Sequence, residues 1–395
     1  MTDGGPADKT ISLRGRRVLL VANRSYSFWL FRREVIARLI EEGAEVFLAS
    51  NVDNYTENLS ELSINFIEIS SNLNTLNPFV ELKNLFVLNR AIRQTKPDVV
   101  HSFTIKPNLY CPVLAKAAGV KAVVCTVTGL GTVMIAGGLK MAVLRRVIKT
   151  IYAVSFRAAN RVIVTNPDDR QFCISSGMAR AEKLAVIPGA GVDLARFAPV
   201  GDEDEPQNRD RFGMDRDSLN LLFVGRMTRE KGLADLVEAL AAVENDRVRL
   251  HLVGEIDRKN PSALDPEELA RRDPRITYHG RIDGIEKLYR CADIVVLPSY
   301  REGMPTVLME AAACGRPAIA TDVPGCREAV LDGKTGLLVP SGDVAALAGA
   351  IGKLAGSAEL RDEYGRNAIA HVRQFDKKSV VAKTIELYRA VLGES

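Results

Sequence analysis

Two glutamates, Glu302 and Glu310, stand with seven residues between them in the segment Arg301-Glu-Gly-Met-Pro-Thr-Val-Leu-Met-Glu310. The run Asp293-Ile-Val-Val-Leu-Pro-Ser299 before it reads as a buried strand, and a helical run up to Cys314 follows Pro305. Proline is favoured at the first helical position and glycine, here Gly315, just beyond the last. The free N–H groups of such a helix, reached through Gly303, Met304, Pro305 and Thr306, suit an anion such as a diphosphate. A carboxylate that accepts hydrogen bonds from a diol can hold a ribose, and a second can grip sugar hydroxyls. Taken singly, Glu302 would read as a charge complementing the helix dipole and Glu310 as a solvated helix residue. Together, and with Gly303, Pro305 and the stop Gly315-Arg-Pro317, they read as a binding site. A second loop supplies the opposite charge: Gly225-Arg-Met-Thr-Arg-Glu-Lys231-Gly232 follows an apolar run, and Gly225 allows a sharp turn. Arg226 and Lys231 flank the next helix start, where two cations can neutralise a departing diphosphate.

Positioning these loops requires strands that end beside one another. Short apolar runs fall at Val18–Ala22, Glu45–Ala49, Phe66–Ile69, Val99–Ser102, Ala122–Val127, Arg161–Thr165 and Leu184–Ile187. Helical patterns lie between them, such as Phe28–Glu42 and Phe79–Thr95, and this alternation implies βαβ units and a parallel sheet. The polar stretch Pro199–Arg211 interrupts the pattern and reads as a linker. Strand runs resume at Leu219–Val224, Leu250–Val253, Ile276–Tyr278, Ile294–Leu297, Ala318–Ala320 and Leu337–Val339, and amphipathic helices at Asp343–Leu354 and Asp376–Leu392 close the chain. The expected architecture is α/β, with two doubly wound Rossmann-like domains facing across a cleft. An N-terminal domain spans 1–198, a linker 199–211 and a C-terminal domain 212–375, with a last helix over 376–395 that packs back on the N-terminal domain. Ligands of such sheets bind beyond the carboxyl ends of the strands.

A length of 395 residues fits two domains, and a net charge of +4 gives no general case for nucleic-acid binding. The six cysteines form no C-x-x-C pair and have no zinc spacing with histidine. Most lie in apolar runs, as small buried hydrophobes suited to the reducing cytoplasm. The first 17 residues are polar and do not read as a signal peptide, and no apolar run reaches the ~20 residues of a membrane span. No metal site stands out, so no metal and no cofactor beyond the donor substrate are expected.

The paired glutamates and the basic loop resemble the retaining glycosyltransferases of family four, which have the GT-B fold. Their E-x7-E motif matches Glu302 and Glu310, and their G-R-x5-K-G pattern matches Gly225 to Gly232 with one residue fewer between Arg226 and Lys231. The resemblance covers nearly the whole chain. It implies that Arg226 and Lys231 bind the diphosphate of a UDP-sugar, and that Glu302 and Glu310 contact donor sugar and ribose. It also implies that His279-Gly-Arg281-Ile282 receives the nucleobase and that Gly254, in Val253-Gly-Glu255, forms the turn behind the diphosphate. The transfer chemistry would fall to Arg226, Lys231 and Glu302, with the leaving phosphate as base, so that charge stabilisation matters more than a protein base.

The Gly-rich loop that family members often carry after the first strand is replaced by Asn23-Arg-Ser-Tyr-Ser-Phe-Trp-Leu-Phe-Arg32. This segment, with His101-Ser-Phe-Thr-Ile-Lys-Pro-Asn108 and Thr126-Val-Thr-Gly-Leu-Gly131, is similar to transferases that extend polyprenyl-diphosphate-linked sugars in surface or glycoprotein glycan assembly, of the kind that adds N-acetylgalactosamine to lipid-linked diacetylbacillosamine. Many members place a histidine after the fifth strand, where this chain has Thr128. Arg32, His101, Lys106 and Thr128 are therefore the candidates for contact with a polyprenyl-diphosphate-linked acceptor, although a histidine in an apolar strand is as readily a satisfied core residue. Over Gly137–Ala159, Lys140, Arg145, Arg146, Lys149 and Arg157 are interleaved with apolar residues. A basic amphipathic helix of this kind can rest on an anionic membrane, or it can be a core helix with a solvated basic face. The former would make the protein peripheral on the inner face of the cell membrane. Three other readings compete. A sugar-nucleotide 2-epimerase on the same fold would need acid/base carboxylates on the N-terminal side, and no convincing pair is present. A nicotinamide-dependent oxidoreductase would need G-x-G-x-x-G, which Val21-Ala-Asn-Arg-Ser-Tyr26 does not supply. A non-catalytic sugar-nucleotide-binding module would not require the charged set to be intact.

Overall fold

The computed structural model describes residues 11–69, 78–129, 139–199, 205–258 and 260–394. Leu130, Gly131, Gly137, the Lys140 side chain and residues 200–204 of the expected linker lie outside the described residues. The chain forms two units, 1–190 with 380–395 and 191–379. The division precedes the expected linker, whose later part belongs to a helix, Glu205–Phe212. A stretch that looks like a spacer by composition can still form a helix, because Arg209 is buried and pairs with Asp293 at 3.8 Å.

The first unit holds a seven-stranded parallel sheet: β1 (Arg17–Arg24), β2 (Glu45–Asn51), β3 (Asn65–Glu68), β4 (Val99–Phe103), β5 (Ala122–Val127), β6 (Arg161–Val164) and β7 (Leu184–Val186). Its order is β3-β2-β1-β4-β5-β6-β7. The second unit holds β8 (Leu219–Val224), β9 (Val248–Val253), β10 (Ile276–Tyr278), β11 (Ile294–Leu297), β12 (Ala318–Thr321) and β13 (Gly336–Val339), ordered β10-β9-β8-β11-β12-β13. Each expected strand run is present. In each sheet the direction of winding reverses once, between β1 and β4 and between β8 and β11. Those two reversals open the crevices where doubly wound sheets take ligands.

Strand side chains alternate between faces, and both faces are covered. In the first sheet Val18 and Leu20 pack with Phe28, Ile36 and Leu39, whereas Leu19 and Val21 pack with Leu88, Cys111, Tyr152 and Phe156. The second face is thus covered by the helices Pro78–Thr95, Ile105–Ala117 and Leu139–Ala158, the middle one lying between the other two. All six cysteines are buried and free. One expected helix is broken. Phe28–Glu42 forms two helices, Tyr26–Phe31 and Arg33–Glu41, because Arg32 leaves helical backbone at φ −133° and lays its guanidinium 4.8 Å from the Phe103 ring centroid.

The terminal helix Lys377–Gly393 contributes Val380, Ile385, Tyr388 and Val391 to the core of the first unit. Tyr388 is fully buried, so Tyr388→Ala is expected to cost about 3–5 kcal/mol of stability. Denaturant unfolding checks this, and an unchanged midpoint would remove the terminal helix from that core.

Candidate functional site

The loops after β8 and β11 meet at the second unit's reversal point. The first runs through a 3-10 turn at Arg229–Lys231 and a left-handed Gly232 (φ +71°). A Cβ on Gly232 would stand 2.0 Å from the Pro298 carbonyl oxygen, so only glycine lets this loop approach the end of β11 so closely. Lys231 Nζ then donates to Glu302 Oε1 at 2.5 Å, with both side chains largely shielded. Glu302 is therefore the partner of a buried-side cation and does more than offset a helix dipole. Glu230, beside Lys231, accepts from Ser262 Oγ, and its backbone carbonyl accepts from the Tyr300 N–H at 3.0 Å, which ties the two loops together.

Gly225 has ordinary backbone, and a Cβ there would only touch Phe223. The turn that demands glycine is its neighbour on β9. Gly254 has φ +144°, and a Cβ on it would stand 1.8 Å from the Gly225 carbonyl oxygen. The Gly225 N–H donates to Val253 and the Gly254 N–H to Gly280, so the carboxyl ends of β8, β9 and β10 form one tight rim. Arg281 and Ile282 follow on the same rim, and Arg281 is exposed and loosely paired with Glu255 at 3.5 Å and Asp283 at 3.7 Å. Arg226 is exposed at the mouth of the first loop; burial works to raise the Glu230 pKa, but the hydrogen bond from Ser262, with a smaller contribution from the Arg226 charge, holds the carboxyl below its ordinary value.

After β11, Gly303, Met304 and Pro305 are buried and the helix Thr306–Ala313 begins, capped by Pro305. Gly325 holds this turn from below, since a Cβ there would meet the Gly303 carbonyl oxygen at 2.4 Å. Glu310 sits in the last turn of the helix. It is half-buried, and Tyr289 Oη donates to Glu310 Oε2 at 2.8 Å. Desolvation raises the Glu310 pKa, while the Tyr289 hydrogen bond and the charges of Arg196 and Lys377 oppose the rise. Glu310 is thus a positioned carboxyl, unlike a solvated helix residue. The second unit's rim and the two loops bring together Gly225, Arg226, Lys231, Gly254, Arg281, Ile282 and Glu302 to Thr306 at one sheet edge, while Glu310 lies further along the helix beside Tyr289. Gly232, which closes the basic motif, supports them, as do Tyr289 and Gly325, which carried no signal of their own in the sequence.

In the first unit the four acceptor candidates separate. His101 is buried, with Nδ1 2.5 Å from Tyr388 Oη and Nε2 2.7 Å from Thr126 Oγ1. Both ring nitrogens are occupied, so His101 is a satisfied core histidine, and Thr126 rather than Thr128 is its neighbour on β5. Arg32 is buried beside it, donates to the Phe31 carbonyl at 2.7 Å and has its pKa lowered to about 10 by burial. Lys106 pairs with Glu81, which also accepts from Tyr110 Oη at 3.0 Å. Thr128 is exposed just beyond β5. Among the described residues no group of three His, Cys, Asp or Glu side chains is close enough to hold a metal ion.

Residues 17–166 match the family model described as "Glycosyl transferase 4-like", and residues 218–357 match "Glycosyl transferases group 1". The chain is 31% identical, over 95% of its length and 99% of the relative's, to an N,N'-diacetylbacillosaminyl-diphospho-undecaprenol alpha-1,3-N-acetylgalactosaminyltransferase of Campylobacter jejuni. It is 27% identical to a UDP-Gal:alpha-D-GlcNAc-diphosphoundecaprenol alpha-1,3-galactosyltransferase of Escherichia coli, over 67% of this chain and 68% of the relative. Its fold matches sucrose-phosphate synthase from Thermosynechococcus elongatus, with a TM-score of 0.80 at 23% identity over 96% of this chain and 100% of that one. The Anabaena protein HepE in complex with UDP and glucose matches with a TM-score of 0.77 at 18% identity, over 93% and 98%.

Burial holds the pKa values of three histidines down: His101 well below its ordinary value, His279 below it, and His251, which meets His279 Nε2 at 3.0 Å, at about 3. These groups stay neutral in the folded chain while the unfolded chain takes up protons below about pH 6.5. Stability is therefore fully present above that pH and falls as pH drops, each histidine contributing at most about 1.4 kcal/mol per pH unit. Urea midpoints at about pH 7.5 and about pH 5.5 check this, and a midpoint that does not fall at the lower pH would show the histidines titrating in the folded state. Matching family models in both units and a relative aligned end to end make this chain a glycosyltransferase, and it belongs to glycosyltransferase family four with the GT-B fold.

Proposed function

We propose that the chain transfers a sugar, an N-acetylhexosamine, from a UDP-sugar to a polyprenyl-diphosphate-linked acceptor sugar, with retention at the transferred carbon and without a metal. The observation that carries the reading is the Lys231–Glu302 pair at the reversal point, below the start of the helix Thr306–Ala313. A departing diphosphate would meet two cations, Arg226 and Lys231, and the N–H groups of that helix start. Its charge would draw Lys231 away from Glu302 and free the carboxylate to accept from donor-sugar hydroxyls. Glu310, oriented by Tyr289, would accept from the ribose diol, and the rim at Gly254, Arg281 and Ile282 would carry the base. With His101 locked in the core, the leaving phosphate serves as base. The Campylobacter and Escherichia relatives, named for acceptors linked to undecaprenol through a diphosphate, support the acceptor class.

Such an acceptor is embedded in a membrane, and the first unit has a face suited to one. The helix Pro78–Thr95 exposes Phe79 (84%), Leu82 (69%) and Phe86 (67%). Beyond the neighbouring helix, Leu139–Ala158 buries Tyr152 and Phe156 yet exposes Val143, Val147 and Val154 beside Arg146 and Arg157. Its outer face is therefore apolar as well as basic, a composition that favours the surface of an anionic bilayer over water. No helix of the described residues is long and apolar enough to cross a membrane. The protein would act as a peripheral protein on the cytoplasmic face.

Calorimetric titration with UDP, GDP and NAD tests the donor, and UDP release that depends on a lipid-linked acceptor separates transfer from epimerisation. Glu310→Gln should weaken UDP-sugar binding about 10- to 100-fold. Lys231→Ala should lower kcat by about 100-fold or more with a smaller effect on donor affinity, and an unchanged kcat would remove Lys231 from the chemistry. The double change Phe79→Ser with Phe86→Ser should reduce sedimentation with anionic liposomes at least about ten-fold, and unchanged sedimentation would show that this face does not meet lipid.

A further inference from the structure

A small open pocket lies in the first unit at the reversal between β1 and β4. Its enclosed space is on the order of two water molecules, which suits one small substituent of a sugar rather than a sugar ring or a lipid chain. Its apolar wall includes Val21, Ile69 and Leu88, and its polar wall includes Asn23, Asn84 and Lys106. Asn84 is 7% exposed, and both its amide nitrogen and its amide oxygen are buried without a hydrogen-bond partner. Asn23 Oδ1 is buried and unpartnered as well. Buried amides are nearly always paired, so an amide that presents an idle donor and an idle acceptor to one pocket marks a place for a ligand. The charge in the pocket is already matched, because Lys106 is paired with Glu81 and Glu81 also accepts from Tyr110. That pairing disfavours a phosphate there and favours a neutral group.

We infer that this pocket receives an acetamido group of the acceptor sugar. The acetamido carbonyl accepts from Asn84 Nδ2, its N–H, which points the opposite way, donates to Asn23 Oδ1, and its methyl rests on Val21, Ile69 and Leu88. The pocket thereby selects N-acetylated acceptor sugars over their hydroxyl counterparts. The inference rests on the proposed transfer to a sugar acceptor, but the pocket can be probed without turnover.

Saturation-transfer NMR of the full chain with methyl N-acetylglucosaminide and methyl glucoside reads the pocket directly. The wild type should saturate the acetyl methyl strongly and the glucoside weakly. Asn84→Leu should reduce the acetyl signal at least about ten-fold while the unfolding midpoint and UDP affinity stay unchanged, and Asn84→Asp, which keeps the shape but loses the N–H donors, should reduce the signal to a similar degree with UDP affinity unchanged. An acetyl signal that is absent from the wild type, or retained in both variants, overturns the assignment. With lipid-linked acceptors, the wild type should prefer the 2-acetamido sugar over the 2-hydroxy sugar in kcat/KM by about ten-fold or more, and Asn84→Leu should erase that preference. An acetyl signal that depends on Asn84, combined with no transfer to any lipid-linked acceptor, would sink the transfer reading and leave the pocket assignment standing.

Discussion

The ion pair between Lys231 and Glu302 depends on a backbone approach that only glycine permits. Gly232 brings the loop after β8 against the Pro298 carbonyl, and the same approach carries the ammonium to the carboxylate across the reversal point. A methyl group at residue 232 would displace the loop and separate the charges. The rim repeats the device, with Gly254 under Gly225 and Gly325 under Gly303. Three glycines thus set the positions of loops that hold the charged residues, and the parallel sheet beneath supplies the rigid reference. In the pair each charge is held by the other.

The two units use the same topology for opposite chemistry. At the reversal in the second unit the side chains are charged and the helix start offers N–H groups, an environment for phosphate and hydroxyl groups. At the reversal in the first unit the lysine is neutralised and amides line the pocket, an environment for a neutral polar group.

Much of this was legible in the chain. Every strand is an apolar run, because both faces of a parallel sheet are covered and its strands need no polar face. The glutamate pair and the basic loop were legible because charge, glycine and proline fall at fixed offsets within single loops. What was not legible depends on residues distant in sequence. Tyr289 orients Glu310, Tyr388 occupies His101 from the end of the chain, and Glu81 takes Lys106 out of play. No local pattern announces such partners. Gly225 looked like the essential turn because it opens the motif, whereas the constraint falls on Gly254, which faces it from the next strand. The helix Glu205–Phe212 was not legible within the expected linker for a related reason, since a polar helix and a polar spacer share a composition.

Hydrogen–deuterium exchange with and without a UDP-sugar tests the central claim most directly, because it reads the loops without altering them. Slowed exchange is predicted in the peptides that carry 225–232, 254–255 and 302–310. Protection confined to the first unit, or none at 302–310, would contradict the placement of the donor at the Lys231–Glu302 pair.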